Sequence, residues 1–168
     1  MELEPGRAGV CRLDGPNGSL DIFCVYLDPQ SHAHRNNTLR IISNAVRPKD
    51  EVLSILTGDS NFVEDIDDRW NLAGEEASGH NNSNKLNAKF FKESFRDDLG
   101  FYEWDQPFFT CEAGGARSRL DRMYTNQHIS YQLDHNCSCS ALEWDISLSA
   151  HRAISLAGEK GLVPLVKT

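Results

Sequence analysis

Two polar side chains with the chemistry of a catalytic site follow the most strand-like run of the sequence. Residues 52–56, Val-Leu-Ser-Ile-Leu, form an apolar run of strand length, which ends at Thr57 and Gly58. Asp59 and Asn61 follow, two residues apart, so an extended chain places both side chains on the same side. A carboxylate can act as a base or bind a metal ion, and a carboxamide can donate to an oxyanion. On its own, the same segment is more typical of a strand that runs into an ordinary Asx turn.

Two further polar blocks lie downstream, each beside a predicted strand end. The first is residues 118–122, Ser-Arg-Leu-Asp-Arg, in which Asp121 interrupts a β-type pattern. The second is residues 149–152, Ser-Ala-His-Arg, with His151. A carboxylate bonded to an imidazole fixes the tautomer of the ring and stabilises its cation. Each block alone is typical of a surface charge or a loop histidine, but three in this order favour one site at the rim of a sheet.

The composition indicates one globular domain with a negative surface. The chain has 168 residues, 39% of them hydrophobic, which suffices for a single core. It has no apolar stretch of membrane-spanning length, and its first residues, Met-Glu-Leu-Glu-Pro, do not resemble a signal or transit peptide, so we expect a soluble intracellular protein without membrane contact. The net charge of −8 excludes a surface that grips nucleic acid over its whole extent. An anionic substrate must be bound locally or through a cation.

The cysteines predict buried thiols. Cys11 and Cys24 fall inside apolar strand patterns, which favours burial over a disulfide. Residues 135–139, His-Asn-Cys-Ser-Cys, lack a second ligand pair at zinc-binding spacing, which argues against a zinc site.

The elements around the first block are predicted to form a layered α/β arrangement. Strands over 7–13 and 20–27, joined by turn residues at 14–19, predict a hairpin. Apolar residues on both faces of the second strand predict that it is covered on both sides. A helix over 38–46 then precedes the strand at 52–58, an order that fits neighbouring strands of one sheet.

The other segments are predicted to be loops, one helix and short strands. Residues 30–37 read as a polar loop, and the acidic residues 64–84 as a solvated surface loop. An amphipathic helix is expected over 85–98. Further strands are expected over residues 118–124, 141–144 and 153–156.

Together, the polar blocks resemble the endonuclease/exonuclease/phosphatase superfamily. The family pattern is a strand that ends in a Tyr-x-Pro-like turn, followed by Gly-Asp-x-Asn, Arg-x-Asp-x and Ser-Asp-His. Its counterparts here are residues 25–29, 58–61, 119–122 and 149–151. The string Ser-Arg-Leu-Asp-Arg-Met-Tyr-Thr-Asn over 118–126 is most similar to the endonuclease domains of LINE-type retrotransposons.

The resemblance implies hydrolysis of a phosphodiester, most similar to an endonuclease acting on nucleic acid, with Mg²⁺ or Mn²⁺ as the cofactor. Asp59 would activate the attacking water, Asn61 would hold a phosphate oxygen, and both would serve as metal ligands. Asp121 would pair with His151, whose imidazole would face the scissile phosphate. The other residues implied to contact the phosphate are Tyr26, which belongs to the catalytic set, and Arg35.

The resemblance also implies the fold, which is a layered β-sandwich flanked by helices. It further implies that this fold is truncated at its N-terminus. We expect a single partial domain over 1–168, with its core at about 7–156 and its tail at 157–168. The family's first metal-binding Glu and an early Asn lie on strands that precede such a hairpin, and this sequence begins at the hairpin.

A second departure concerns the residue before His151. Ala150 stands where the family has an Asp. Three alternatives therefore stay open: an active phosphodiesterase, a weak or inactive remnant that serves as a folded interaction module, and a phosphatase of small phosphorylated molecules.

Overall fold

The structure, a computed structural model, describes residues 1–16, 18–79, 81–128, 137–145 and 149–158. Its strands are β1 (Glu2–Glu4), β2 (Ala8–Gly15), β3 (Gly18–Tyr26), β4 (Val52–Asp59), β5 (Arg69–Asn71), β6 (Glu76–Ala77), β7 (Tyr102–Glu103), β8 (Cys111–Ala113), β9 (Ala116–Ser118), β10 (Asp121–Thr125), β11 (Cys137–Ala141) and β12 (Ile154–Gly158). Its α-helices are α1 (His32–Ala45) and α2 (Asn82–Phe91). A 3₁₀ turn spans Ile66–Asp68, and a π-helical segment, Lys92–Asp97, continues α2.

A six-stranded sheet in the order β1-β2-β3-β4-β10-β7 forms the centre of the fold. β2 and β3 form the predicted hairpin, in which Gly15 pairs with Gly18. β3 and β4 run parallel, with Tyr26 beside Asp59, and α1 is the crossover between them. β10 is antiparallel to β4 and pairs Asp121 with Asp59. The predicted strand, helix and strand are therefore neighbours in one sheet.

The two helices cover one face of this sheet, where the largest cluster of buried apolar side chains lies. Leu39 and Ile42 of α1 and Phe91 of α2 pack with Phe23 of β3. Phe91 also stacks on Phe95, with 4.8 Å between ring centroids. Burial of these large side chains is the main favourable contribution to folding in this half of the molecule.

Both helices begin earlier than the apolar periodicity predicted. α1 begins at His32 because the Ser31 hydroxyl accepts a hydrogen bond from the His34 backbone N–H, and residues 30–37 are therefore mostly helix rather than a loop. The side chain of Asn81 caps α2 in the same way. Polar residues in the first turn of each helix concealed these starts.

The other face of the sheet is covered over part of its width. β11 and β12 pack here, and the side chains in contact are Leu20, Ile55, Trp104, Met123, Cys139, Ile154 and Leu156. Towards β2, the free thiols of Cys11 and Cys24 are exposed, and Tyr26 is 49% exposed. The predictions of buried thiols and of a strand covered on both sides are wrong because this two-stranded layer does not extend over the hairpin.

The acidic stretch at 64–84 is not a surface loop, because it contributes to a second sheet and to buried ion pairs. The second sheet has the strand order β6-β5-β9-β8. Glu64 and Asp68 are buried. The architecture is thus a layered β-sandwich flanked by helices, as predicted. Within the described ranges no helix is long and apolar enough to cross a membrane.

Two predictions concern residues outside the described ranges. Most of the tail at 157–168 lies there, as do His135 and Asn136 of the segment considered for zinc. The single partial domain over 1–168 stays a prediction.

Candidate active site

Three neighbouring strands place polar side chains in one row across the central sheet. Tyr26 of β3 pairs with Asp59 of β4, which pairs in turn with Asp121 of β10. Paired residues on adjacent strands point to the same face and lie about 5 Å apart. The segment that carries His151 joins the second sheet through a β-bridge between Cys111 and His151. The two sheets together therefore bring the predicted blocks to one place.

His151 lies between the two carboxylates of this row. Its Nδ1 is 2.8 Å from Oδ2 of Asp121, and its Nε2 is 4.0 Å from Oδ2 of Asp59. Because an ionised carboxylate can only accept, Nδ1 carries the proton and Nε2 is left as an acceptor in the neutral ring. The Ser149 hydroxyl accepts from the His151 backbone N–H at 2.9 Å, which fixes the local chain.

Asp59 and Asn61 form an Asx turn, so the segment is also the ordinary turn after a strand that its sequence suggested. The Asn61 backbone N–H donates to Oδ1 of Asp59 at 2.8 Å. The Asn61 amide donates to Oδ2 of Asp59 and to the Leu27 carbonyl, both at 2.9 Å. Asn61 has a φ of +50°, a left-handed conformation that asparagine tolerates. The turn holds the carboxylate of Asp59 in a fixed orientation.

Gly58 allows β4 to approach β3 immediately before Asp59. Its φ is +134°, and a Cβ added there would lie 2.0 Å from the Val25 carbonyl oxygen. A side chain at this position would push the strands apart and displace Asp59, so the backbone itself requires glycine.

Hydrogen bonds from two small side chains couple the first two blocks. Ser60 donates to the Leu120 carbonyl through its backbone N–H at 2.9 Å and its hydroxyl at 2.8 Å. The Thr110 hydroxyl accepts from the backbone N–H groups of Leu120 and Asp121 at 3.1 and 2.9 Å. Sequence reasoning missed both positioning residues, since their partners are distant along the chain, Ser60 is the variable position of its motif, and Thr110 lies outside every motif.

The cluster is negatively charged and fits a hydrated divalent cation. Burial raises the pKa of Asp59, and the nearby carboxylate of Asp121 adds to the rise. Ligand atoms of Asp59, Asp121 and His151 lie within 4.8 Å of one another. Mg²⁺ is commonly held by one or two carboxylates and keeps several waters. The Asn61 amide nitrogen is occupied by Asp59 and Leu27, so its carbonyl oxygen is the atom left to act as a ligand.

Cys111 lies beside this cluster without the chemistry of a nucleophile. Burial raises the pKa of its thiol to about 11, with further contributions from Asp121 and Asp59. The thiol is therefore protonated at neutral pH and acts as a small apolar side chain.

The resemblance implied that two further residues contact phosphate, and they lie in different parts of the structure. Tyr26 belongs to the row, and its ring is exposed. Arg35 is 3% exposed and donates to Asn87 Oδ1 and to the Asp28 carbonyl, both at 2.7 Å. The structure does not bring Arg35 into the row, because its guanidinium joins α1 to α2.

Solved structures match the fold, whereas no protein-family model and no curated protein sequence matches the chain. The endonuclease domain of TRAS1, a telomere-specific non-LTR retrotransposon, matches with a TM-score of 0.63 at 14% identity, over 89% of this chain and 60% of that one. An AP endonuclease from Archaeoglobus fulgidus matches with a TM-score of 0.53 at 12% identity, over 89% and 65%. An endonuclease/exonuclease/phosphatase family protein from Leptotrichia buccalis matches with a TM-score of 0.56 at 13% identity, over 90% and 52%.

The chain thus has the fold of the endonuclease/exonuclease/phosphatase superfamily, as its motifs predicted. It spans between 52% and 65% of the length of these three structures. At identities of 12% to 14%, the likeness establishes the fold.

Proposed function

We propose that the protein hydrolyses phosphodiester bonds at the cluster of Asp59, Asp121 and His151, as an endonuclease acting on nucleic acid. The observation that carries this proposal is the position of His151, with Nδ1 bonded to Asp121 and Nε2 4.0 Å from Asp59. This leaves a ring nitrogen and a carboxylate facing the same small space, the arrangement that proton transfer at a phosphate requires. Nuclease structures among the fold neighbours support the same reaction class.

Each residue has a distinct part in the reaction. Asp59, whose pKa is raised by burial, accepts the proton of the attacking water. His151 faces the phosphate through Nε2, while Asp121 fixes the tautomer of the ring and stabilises its protonated form. Asn61 orients Asp59 through two hydrogen bonds. Tyr26, next in the row, contacts the substrate through its exposed ring and hydroxyl.

A divalent cation, Mg²⁺ or Mn²⁺, belongs to this proposal because the site itself is anionic. Asp59 and the Asn61 carbonyl oxygen would hold it, with Asp121 as the neighbouring carboxylate. When bound, the cation supplies stabilisation for the negative charge that develops on the phosphate and the leaving oxygen. In a chain of net charge −8, it also offsets the repulsion of an anionic substrate.

We expect the activity to be slow because of Ala150. This residue carries no carboxylate next to His151, and its backbone carbonyl accepts from the Glu112 N–H at 2.9 Å. Loss of one group that stabilises developing charge typically costs on the order of 10² to 10³ in rate. The Ala150→Asp substitution should therefore restore part of the lost rate.

A plasmid-nicking assay with Mg²⁺ or Mn²⁺ tests the proposal. Purified wild-type protein, Ala150→Asp, and Ala150→Asp combined with His151→Ala are compared at equal folded concentration. We expect slow nicking by the wild type, faster nicking by Ala150→Asp, and loss of nicking in the double variant. Robust nicking that survives His151→Ala would show that the reaction takes place elsewhere.

A further inference from the structure

His34, in the first turn of α1, is bonded to a carboxylate through each of its two ring nitrogens. Its Nδ1 lies 3.0 Å from Oδ2 of Asp28, and its Nε2 lies 3.0 Å from Oε1 of Glu4. An ionised carboxylate can only accept a hydrogen bond, and a neutral imidazole has a single N–H. Both bonds therefore form together only when the ring is protonated. His151 differs, because its Nε2 is 4.0 Å from the second carboxylate.

The ring of His34 joins three separate parts of the fold. Glu4 ends β1, which is the edge strand of the six-stranded sheet. Asp28 lies in the turn after β3, and its Oδ1 accepts from the backbone N–H groups of Gln30 and Ser31. The Ser31 hydroxyl in turn accepts from the His34 backbone N–H at 3.2 Å. The imidazole thus connects the edge of the sheet to a turn and a helix start whose backbone is already fixed.

The edge strand β1 has few other attachments. It is three residues long, and its ladder with β2 has an irregularity in register. Leu3 packs against the main core but is only partly buried. Oε2 of Glu4 is buried and has no hydrogen-bond partner among the residues that the structure describes. The charge of Glu4 is therefore compensated through its bond to His34, and a short edge strand of this kind opens more easily than the centre of a sheet.

The other cations near the ring serve Asp28 rather than Glu4. Arg7, in the turn between β1 and β2, has its Nη2 3.6 Å from Oδ2 of Asp28. Arg35 of α1 donates to the Asp28 carbonyl through Nη1 at 2.7 Å. An arginine stays protonated at every pH at which a protein is folded, so neither side chain contributes a titration of its own. A change of charge at this junction near neutral pH must come from His34.

The terminal ammonium of Met1 is a second titratable group that holds this edge. It donates to the Val10 carbonyl at 2.7 Å, and the Val10 N–H donates back to the Met1 carbonyl at 2.8 Å. Loss of its proton would also loosen the chain beside β2. A substitution of His34 leaves this group in place, so the difference between the two proteins isolates the imidazole.

The two carboxylates raise the pKa of His34. The hydrogen bond to Asp28 makes the largest contribution and the bond to Glu4 the next, and together they outweigh desolvation. A group whose pKa is raised above its ordinary value, 6.5 for this ring, contributes stability that is complete below that value. The contribution is lost as the pH rises through the folded pKa. Because 42% of the side chain is exposed, its size is that of a partly screened ion pair.

We propose that protonated His34 is a latch that joins the edge strand β1 to the turn at Asp28, and that loss of its proton releases β1. A neutral ring donates through one nitrogen and presents a lone pair through the other. Whichever bond it keeps, it no longer joins Glu4 to Asp28. Once β1 is released, the backbone N–H and C=O groups along the edge of β2 face solvent. The latch is a property of the sheet edge and does not rest on the proposed function.

Hydrogen exchange of the backbone amides that bond β1 to β2 tests the latch. Protection factors, which are corrected for the intrinsic effect of pH on exchange, are measured by NMR from about pH 6 to about pH 9. In the wild type they should fall by about two- to fivefold over this range, the effect of one partly exposed ion pair. The amides of β4, at the centre of the same sheet, are the internal reference and should keep their protection.

Three variants separate the latch from other effects of charge. His34→Gln and Glu4→Gln each remove one partner, so both should show the low protection of β1 already at about pH 6, with only the decline that Met1 contributes. Glu2→Gln makes the same change of charge in the same strand, at a carboxylate that accepts from the Gly6 backbone N–H, and should behave as the wild type. Circular dichroism establishes that each variant is folded.

NMR titration of the His34 ring gives a second and independent readout. In the wild type the ring should titrate above its ordinary value of 6.5, and Glu4→Gln should shift the titration to lower pH, whereas Glu2→Gln should not. A ring that titrates at the same pH in the wild type and in Glu4→Gln would overturn the latch. So would protection of β1 that depends on pH to the same extent in the wild type and in His34→Gln.

Discussion

Two clusters of charged side chains lie on opposite sides of β10, and they differ in how far their charges are compensated. Asp121 points to one face, where it meets Asp59 and His151. Arg122, the next residue, points to the other face and is 1% exposed. One strand thus carries a candidate catalytic carboxylate and a structural arginine side by side.

The cluster around Arg122 contains as many arginines as carboxylates. Arg122 Nη1 lies 2.7 Å from Glu103 Oε1, and its Nη2 bonds to Asp68. Arg119 pairs with Asp68 at 2.6 Å and with Glu103 at 3.7 Å. Arg96 pairs with Glu64 at 2.6 Å and with Glu103 at 3.9 Å, and Arg122 also lies 3.6 Å from Glu64. Burial alone would raise the pKa of Asp68, but Arg122 and Arg119 outweigh it and hold that pKa below its ordinary value.

The candidate site, by contrast, has two carboxylates and one imidazole. The pKa of Asp59 is raised, the opposite direction to that of Asp68, although both carboxylates are mostly buried. The clusters differ in the pairing of their charges and not in burial, since burial still raises the pKa of Glu103 beside Arg122 in the first cluster. The compensated cluster holds the chain together, and the uncompensated one is the site that we propose binds a cation and a substrate.

The compensated cluster also supports the site. Oδ2 of Asp68 accepts from the backbone N–H groups of Glu64 and Asp65 at 2.9 Å, which shapes the chain that follows Asn61. The Asp68 carbonyl accepts from the Arg119 N–H at 2.8 Å, two residues before Asp121. Asp68 therefore connects the segment that follows Asn61 to the segment that precedes Asp121, and so joins the first two blocks of the site.

Removal of Arg122 should have the largest effect on stability. Arg122→Ala removes the most buried cation of the cluster and leaves three carboxylates facing two arginines, and breaking a buried ion pair in this way typically costs about 3–5 kcal/mol. Asp121→Asn, in the uncompensated cluster, should cost less than about 1 kcal/mol. Urea unfolding of both variants at neutral pH measures the two losses, and equal losses would remove the distinction between the clusters.

Removal of His151 should have the largest effect on activity with little effect on stability. His151→Ala should lower hydrolysis of a chromogenic phosphodiester by about 10² to 10⁴, the usual contribution of a general acid or base. His34 is a matched control, because its two ring nitrogens also lie 3.0 Å from carboxylates, those of Asp28 and Glu4. If His34→Ala lowered the rate as much as His151→Ala, the effect would be one of general charge rather than of this site.

The pH dependence of stability offers a finer comparison. The pKa of Asp68 is lower in the folded chain than its ordinary value of 3.8, so its ion pairs contribute stability above that value. This contribution is lost as the pH falls through the folded pKa. The urea midpoint of the wild type should therefore fall steeply on acidification below about pH 4, and that of Asp68→Asn should fall less. Parallel curves for the two proteins would contradict this prediction.

The parts of the fold that depend on contiguous patterns could be predicted from the sequence. The hairpin of β2 and β3 has dense turn residues at its tip, and β4 has an apolar run, interrupted by Ser54 alone, that ends at Thr57 and Gly58. The blocks at Asp121 and His151 could be placed at one rim because each adjoins a strand end. Their roles in catalysis stay predictions.

The parts that depend on distant partners could not be predicted. In the sequence, Asp68 and Glu64 look like surface charges, because the arginines that pair with them lie far along the chain. Arg35 looked available for phosphate because its partner Asn87 belongs to another helix.

Binding of Mn²⁺, followed by electron paramagnetic resonance, tests most directly whether the uncompensated cluster is the functional one. We predict one bound Mn²⁺ per chain that Mg²⁺ displaces, loss of this binding in Asp59→Asn, and unchanged binding in Glu103→Gln. Glu103 is the matched control because its carboxylate is already paired with Arg122 at 2.7 Å. Absence of a bound ion in the wild type, or binding that survives Asp59→Asn, would contradict the assignment of this site.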